Sequence, residues 1–204
     1  MRNGTLFIVA APSGAGKTSL VRALVQKLSD VRVSVSYTTR APRPREQDGV
    51  DYHFVTPERF QAMTAEGAFL EHATVFDRSY GTGRAWVEEQ LKAGTDVILE
   101  IDWQGARQVR SVFPGTVGVF ILPPSRSELE RRLRARGQDG DEIIARRMRD
   151  AVSEMSHYDE FDYLIVNKDF DDALAELVAV VTAQRLRREK RDIAALLGDL
   201  LGSR

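Results

Sequence analysis

The stretch TLFIVAAPSGAGKTSL, residues 5–20, decides how the rest of the chain is read. Its first half is a continuous apolar run with several branched residues, as in a strand covered on both faces. Its end opens a segment of helical period over 17–29, with Leu20, Ala23, Leu24 and Leu28 on one side. Between them stands Ala11-Pro12-Ser13-Gly14-Ala15-Gly16-Lys17-Thr18, which in this strand-to-helix context reads as a phosphate loop. Glycines let backbone N–H groups wrap an anion, and the helix N-terminus adds partial positive charge. Lys17 is expected to reach the β- and γ-phosphates of a nucleotide, and the Thr18 hydroxyl to ligate Mg2+. The pattern departs from G-x-x-x-x-G-K-[ST] at its first position, Ala11, which fits only with negative φ. An ordinary glycine-rich turn would leave Gly14, Gly16, Lys17 and Thr18 in register without a reason.

The buried-strand pattern returns in DVILEID (96–102), TVGVFILPP (116–124) and YLIVN (163–167). Helical patterns fall at 84–94, 103–113, 125–137 and 141–158, and a long one begins near Asp169. Ser125-x-x-Glu128 resembles a capping box. Buried strands alternating with helices predict a parallel sheet wrapped on both faces. Residues 31–83 break the alternation. They hold a half-buried strand over 31–37, short strands at 52–55 and 68–76, a helix opened by Thr56-Pro57-Glu58, and a turn at 77–83. The reading is one α/β domain with its core in 1–30, 84–124 and 159–184. An insertion spans 31–83, a helical pair 125–158 and a helical extension 185–204.

The 204 residues suit one such domain. A net charge of −1 gives no field for nucleic acid or an acidic membrane, and no cysteine is present for disulfides or thiolate metal sites. The apolar run Leu6–Ala11 falls short of the roughly 7–15 residues of a signal h-region. No stretch approaches the roughly 18 apolar residues of a membrane span. These features point to a cytoplasmic enzyme without nucleic-acid or membrane partners. The basic run QRLRREKRD (184–192) reads as a solvated helix face. The apolar periodicity of 193–201 calls for a covering surface, on the same chain or on a second protomer.

A second stretch, VSYTTRAPRPREQDGVDYHF (35–54), crowds Arg40, Arg43 and Arg45 beside acids and tyrosines. A kinase whose donor loop is fixed needs an acceptor site, and a phosphorylated acceptor requires concentrated positive charge. Arginine forks suit phosphate oxygens. Tyr52 and Tyr80 can add hydroxyl donors. A carboxylate such as Glu71 would face the other end of the ligand. Guanine presents there an N1–H and an amino group that a carboxylate accepts; adenine presents an acceptor at N1. Arg132 and Arg136, four residues apart, project from one helix face, and 138–141 can act as a hinge. Arg131, Arg134, Arg146 and Arg149 read as solvated, as does Arg45. The histidines His53, His72 and His157 have no metal spacing.

Taken together, APSGAGKTS, SVSYTTRAPRPREQDGVDYHFV, FLEHA, SYGT, ILEIDWQGA, LPPS, RLRARG and IVN resemble the guanylate kinase family, in order, across residues 5 to about 184. The resemblance implies a P-loop sheet core wrapped by helices, a small mixed GMP-binding insertion and a helical lid. It implies transfer of a phosphoryl group from ATP to GMP with Mg2+. It assigns Ser36, Glu71 and Thr82 to guanine, and Arg40, Arg43, Tyr52 and Tyr80 to the GMP phosphate. Glu46 would brace the arginines, and Asp102 would lie between guanine and the metal. Arg132, Arg136 and Arg147 would close over the transferring phosphate. The rival reading is a catalytically silent guanylate-kinase-like module that binds peptides.

Overall fold

The computed structural model describes residues 3–75, 77–135, 140–191 and 193–202. In chain order the elements are β1 (Leu6–Ala10), α1 (Lys17–Lys27), β2 (Val31–Val33), β3 (Tyr37–Thr38), β4 (His53–Phe54), α2 (Pro57–Ala65), β5 (Phe69–Val75) and β6 (Arg78–Gly83). There follow α3 (Arg84–Lys92), β7 (Asp96–Leu99), α4 (Trp103–Val112), β8 (Val117–Leu122), α5 (Arg126–Ala135), α6 (Asp141–Met155), β9 (Tyr163–Val166), α7 (Phe170–Leu186) and α8 (Ala194–Leu201).

Five strands form an all-parallel sheet in the order β2-β7-β1-β8-β9. Alternation along β1 sorts the core. Phe7 and Val9 join Leu20, Val21 and Leu24 of α1 and Leu177 and Val181 of α7 on one face. Leu6, Ile8 and Ala10 join Val87 and Leu91 of α3 and Ala106 and Val109 of α4 on the other. Both faces are covered, which is why β1 is apolar at every position. The register pairing Ile8 with Leu99 brings the ends of β1 and β7 to one edge of the sheet. The glycine-rich turn and the acids after β7 therefore meet there, where parallel sheets hold their ligands.

The insertion builds its own mixed sheet, β4-β3-β6-β5, with Phe60 and Met63 of α2 packed on Phe69. Helix α2 begins as its sequence predicts, with the Thr56 hydroxyl accepting from Arg59 N and Pro57 at the first helical position. Helices α5 and α6 share a separate apolar seam of Leu129, Leu133, Ile144, Met148 and Ala151.

Four expectations are corrected. The segment 31–37 is not one strand: β2 pairs with β7 in the core sheet, and β3 starts the insertion sheet four residues later. Residues 77–83 are more than a turn. Asp77, with φ 61°, makes the turn, and β6 pairs antiparallel with both β5 and β3. Strand β9 is an edge strand whose Leu164 and Val166 are 47% and 50% exposed, so it is buried on one face only. The run 184–192 is not wholly solvated. Gln184 is buried and donates to the Tyr163 hydroxyl, and Arg185 donates to the fully buried Asp96 at 2.7 Å and to Ser29 O. Ser125 does cap α5 by accepting from Glu128 N at 3.1 Å. The Glu128 carboxylate, however, binds Arg131 and Arg132.

The Arg185–Asp96 pair ties the end of α7 to the start of β7. Removing the cation from a buried carboxylate is costly. Arg185→Ala is expected to lower stability by about 3 kcal/mol, read as a fall in the urea midpoint; an unchanged midpoint would show that the pair contributes nothing net.

Candidate active site

The loop between β1 and α1 is held by conformations that only glycine takes easily. Gly14 and Gly16 have φ of 97° and 96°. A Cβ on Gly14 would stand 3.0 Å from both Leu129 and Leu133 of α5, and one on Gly16 would stand 2.4 Å from Asn167 Nδ2. Apart from glycines, only Asp30, Arg45 and Asp77 among the described residues have positive φ. Ala11 therefore keeps negative φ, as its departure from the motif requires.

Ala11, Pro12, Ser13, Gly14, Gly16, Lys17 and Thr18 line a cavity of about 320 Å³. Ala15 does not line it: it is buried in the core, and its carbonyl accepts from Asn167 Nδ2 at 2.7 Å. The sequence IVN thus ends a strand with a side chain that braces the loop. Asp169 caps α7 by accepting from the amides of Asp171 and Asp172. Burial lowers the pKa of Lys17 below the usual lysine value, opposed by Glu100, Glu154 and Asp102. The Thr18 hydroxyl donates to Glu100 at 3.1 Å.

Glu100 also lines a second cavity, of about 170 Å³, with Ser36, Tyr52, Glu71, Tyr80 and Asp102. Glu71 is buried, and its Oε1 accepts from the Thr82 hydroxyl at 2.6 Å. Burial raises its pKa, Asp102 adds to the rise, and the Thr82 bond opposes it. Thr82 sits behind Glu71, outside the cavity lining. Asp102 has a structural task as well, since it caps α4 by accepting from Gly105 N at 2.9 Å. Arg40 stands off the cavity, in a two-pronged bond with Glu46 at 2.9 Å on each prong. Its guanidinium lies over the Tyr52 ring at 5.3 Å. Glu46 also accepts from the amide of Arg43, whose side chain is exposed. These bonds, that to the Arg40 guanidinium first, lower the pKa of Glu46.

From α5, Arg132 donates to Glu128 and to Asn167 O at 3.0 Å, so it lies beside the loop. Arg147 is half-buried on α6, and Arg136 lies outside the described residues. Arg131, Arg134 and Arg146 are engaged by neighbouring acids on the lid helices. His53 stacks on Tyr37 and His157 on Trp103, and no histidine lines either cavity among the described residues.

Sequence reasoning passed over Glu100 and Glu154, and it marked Asn167 only as part of IVN, without its role in bracing the loop. Glu100 was signalled by its place after the second buried strand, as an acid beside the loop's Thr18. Asn167 and Glu154 reach the loop from distant elements; Asn167 stands in IVN, and no local signal marks Glu154.

Two neighbouring clefts, the first formed by a glycine-rich strand-to-helix loop with its lysine and the second walled by Glu100, which bonds Thr18 of that loop, suit phosphoryl transfer. The class so defined is the P-loop kinases. The family model described as guanylate kinase matches residues 3–184. The guanylate kinase of Alkalilimnicola ehrlichii is 63% identical over 98% of this chain and 99% of that protein. That of Nitrosococcus oceani is 60% identical over 98% and 99%. A crystal structure of guanylate kinase from Anaplasma phagocytophilum, 30% identical, superposes with a TM-score of 0.78 over 98% of this chain and 97% of that one. The chain belongs to the guanylate kinase family and is a nucleotide-binding kinase of that family.

The buried Glu71 gives a pH signature. Its carboxyl is protonated in both states below the unfolded value, near 4.5. As pH rises from there, the unfolded chain ionises first, so stability falls until the folded group has also ionised. In the ligand-free protein, Glu71→Gln is expected to remove this decline and to melt no lower than wild type at neutral pH. Thermal melts between pH 4 and neutrality check it.

Proposed function

We propose that the chain transfers the γ-phosphoryl group of ATP to GMP, giving ADP and GDP, and so serves purine nucleotide metabolism and GMP recycling. The observation that carries the reading is Glu71. It is a buried carboxylate fixed by Thr82 on the wall of the cavity that adjoins the phosphate loop. A buried acceptor pair of this kind matches the N1–H and amino group of guanine, with Ser36 and Asp102 close by. Adenine would leave it facing another acceptor, and an unpaired buried group is penalised.

The GMP phosphate is assigned to Arg40, Arg43, Tyr52 and Tyr80. Arg40 is already held in place by Glu46, so little ordering is left for binding to do. The donor triphosphate is assigned to the loop from Ala11 to Thr18, with Lys17 against the β- and γ-phosphates. An acceptor phosphate oxygen then attacks the γ-phosphorus, and the β–γ bridging oxygen leaves with ADP. The attacking oxygen is already anionic, so no side chain has to remove a proton. That agrees with the absence of histidine from both cavities among the described residues. Catalysis is positioning and charge stabilisation, with Lys17, Arg40, Arg132, Arg136 and Arg147 as the cations.

Mg2+ fits the donor set. Thr18 Oγ1 and Glu100 Oε2 lie 3.1 Å apart at the loop, and no group of three metal-ligating side chains occurs among the described residues. An ion held by one or two protein oxygens completes its shell with phosphates and water, as Mg2+ does, and lowers the charge on the phosphates. A peptide-binding module without activity would have no use for Lys17 and Thr18 in this register. No helix among the described residues is long and apolar enough to cross a membrane, and the proposed setting is the cytoplasm. Leu197, Leu200 and Leu201 of α8 are exposed and would suit a second protomer.

ADP release measured with GMP, AMP, CMP and UMP tests the reading; GMP is expected to dominate, and equal turnover of AMP would overturn it. Lys17→Met is expected to cut kcat by about a thousandfold or more with an unchanged melting curve. Glu71→Gln is expected to lose about 2–4 kcal/mol of transition-state stabilisation with GMP and to shrink the preference over AMP. Arg43→Ala is expected to weaken both monophosphates while leaving that preference in place. Comparing kcat/KM for GMP and AMP in the two variants separates base reading from anion binding.

A further inference from the structure

Glu154, on α6, lines the same cavity as Ser13, Gly16, Lys17 and Thr18 of the phosphate loop. Its Oε2 is buried without a hydrogen-bond partner. An unpartnered oxygen of this kind in a folded interior calls for a reason. Burial raises the pKa of the carboxyl first; Lys17 and the Ser13 backbone amide act the other way, while Asp102 and Asp150 add to the rise. Lys17 in turn is balanced by Glu100, Glu154 and Asp102. The carboxylate thus faces an ammonium and a backbone N–H of the loop, two donors of the kind the loop offers to phosphate.

We propose that Glu154 stands in for a nucleotide phosphate in the empty loop, as a positioning residue that faces Lys17 and the Ser13 amide until the polyphosphate of the donor displaces it. The proposal rests on the donor-site reading above and extends it to a residue of the lid helices. Two anions cannot share a partly desolvated site without penalty, so the incoming phosphates must move the carboxylate away. Glu154 lies on the wall of a cavity of about 320 Å³ that remains open beside the loop, and its Oε2 is an acceptor for which the loop has no donor in this arrangement. Arg147 lies seven residues earlier on α6, two turns away on the same side. Glu154 and an arginine assigned to the transferring group thus stand on one side of the same helix.

The test is calorimetric titration of inorganic tripolyphosphate, with and without Mg2+, into wild type, Glu154→Gln and Glu154→Ala, with GMP titrated as a control. Competition predicts that both variants bind metal-free tripolyphosphate about tenfold more tightly, that KM for ATP falls by a similar factor, and that GMP affinity is unchanged. A residue that merely stiffened the fold would weaken GMP and tripolyphosphate together. Equal or weaker metal-free binding in both variants would overturn the proposal. So would a loss confined to the Mg2+ titration, since Glu154 would then serve the metal. If tripolyphosphate binds neither wild type nor the variants, the donor-site reading fails, and the proposal with it. If it binds wild type and the variants alike, only the proposal fails. Thermal melts establish that the variants fold.

Discussion

One ammonium group among carboxylates organises this molecule. Lys17 opens α1 after the loop that follows β1, with Glu100 just beyond β7, Asp102 at the cap of α4 and Glu154 on α6 as its acidic neighbours. Each of these groups arrives on a different element, so the parallel sheet must be in register before the cluster exists. The pairing of Ile8 with Leu99 supplies that register. The loop itself adds a second constraint, because Gly14 and Gly16 take a left-handed backbone and pack against Leu129, Leu133 and Asn167. A side chain at either glycine would push on the lid helices or on the brace from β9. Loop, lid and sheet edge are therefore one mechanical unit.

The second cavity solves a different problem. The acceptor phosphate proposed beside it needs cations that do not collapse onto the nearest acid, yet Arg40 is paired with Glu46. The two-pronged geometry resolves this. Glu46 fixes the plane of the guanidinium while the Tyr52 ring supports its face. Glu71 is the opposite case, an acid kept in a poor environment. Burial disfavours its charge, and only Thr82 offsets that within the fold. Such a group weakens the empty protein and gains its partners when a ligand presents two donors. On the proposed reading, the stability given up at Glu71 is what discriminates between bases.

Sequence reading reached the loop and the core strands because both depend on local chemistry. Glycines at positive φ, a lysine at a helix start and apolar runs of strand length leave direct marks. It failed where a tertiary partner decided the outcome. The glycines of RSYGTG suggested a turn, yet Gly81 lies in β6 opposite His72, where Phe60 and Phe69 leave no room for a larger side chain. The alternation of 31–37 looked like one strand, because nothing local shows that β2 pairs in the core and β3 in the insertion. Arg185 resembled its basic neighbours until the buried Asp96 appeared across the fold. Glu71 was reached from the chemistry an anionic acceptor requires, whereas Ser36 emerged only from the family resemblance. Glu154 had no local signal, since only the packing of α6 against the loop reveals it.

The account makes phosphoryl transfer a single direct displacement between the two cavities. There is no cysteine in the chain, and no histidine lines either cavity among the described residues. The stereochemistry at the transferred phosphorus tests this most directly, using ATP made chiral at the γ-position with sulfur and oxygen isotopes and GMP as acceptor. One in-line displacement predicts inversion of configuration in the product. Retention would mean two successive displacements through a phosphorylated side chain, and would contradict the account.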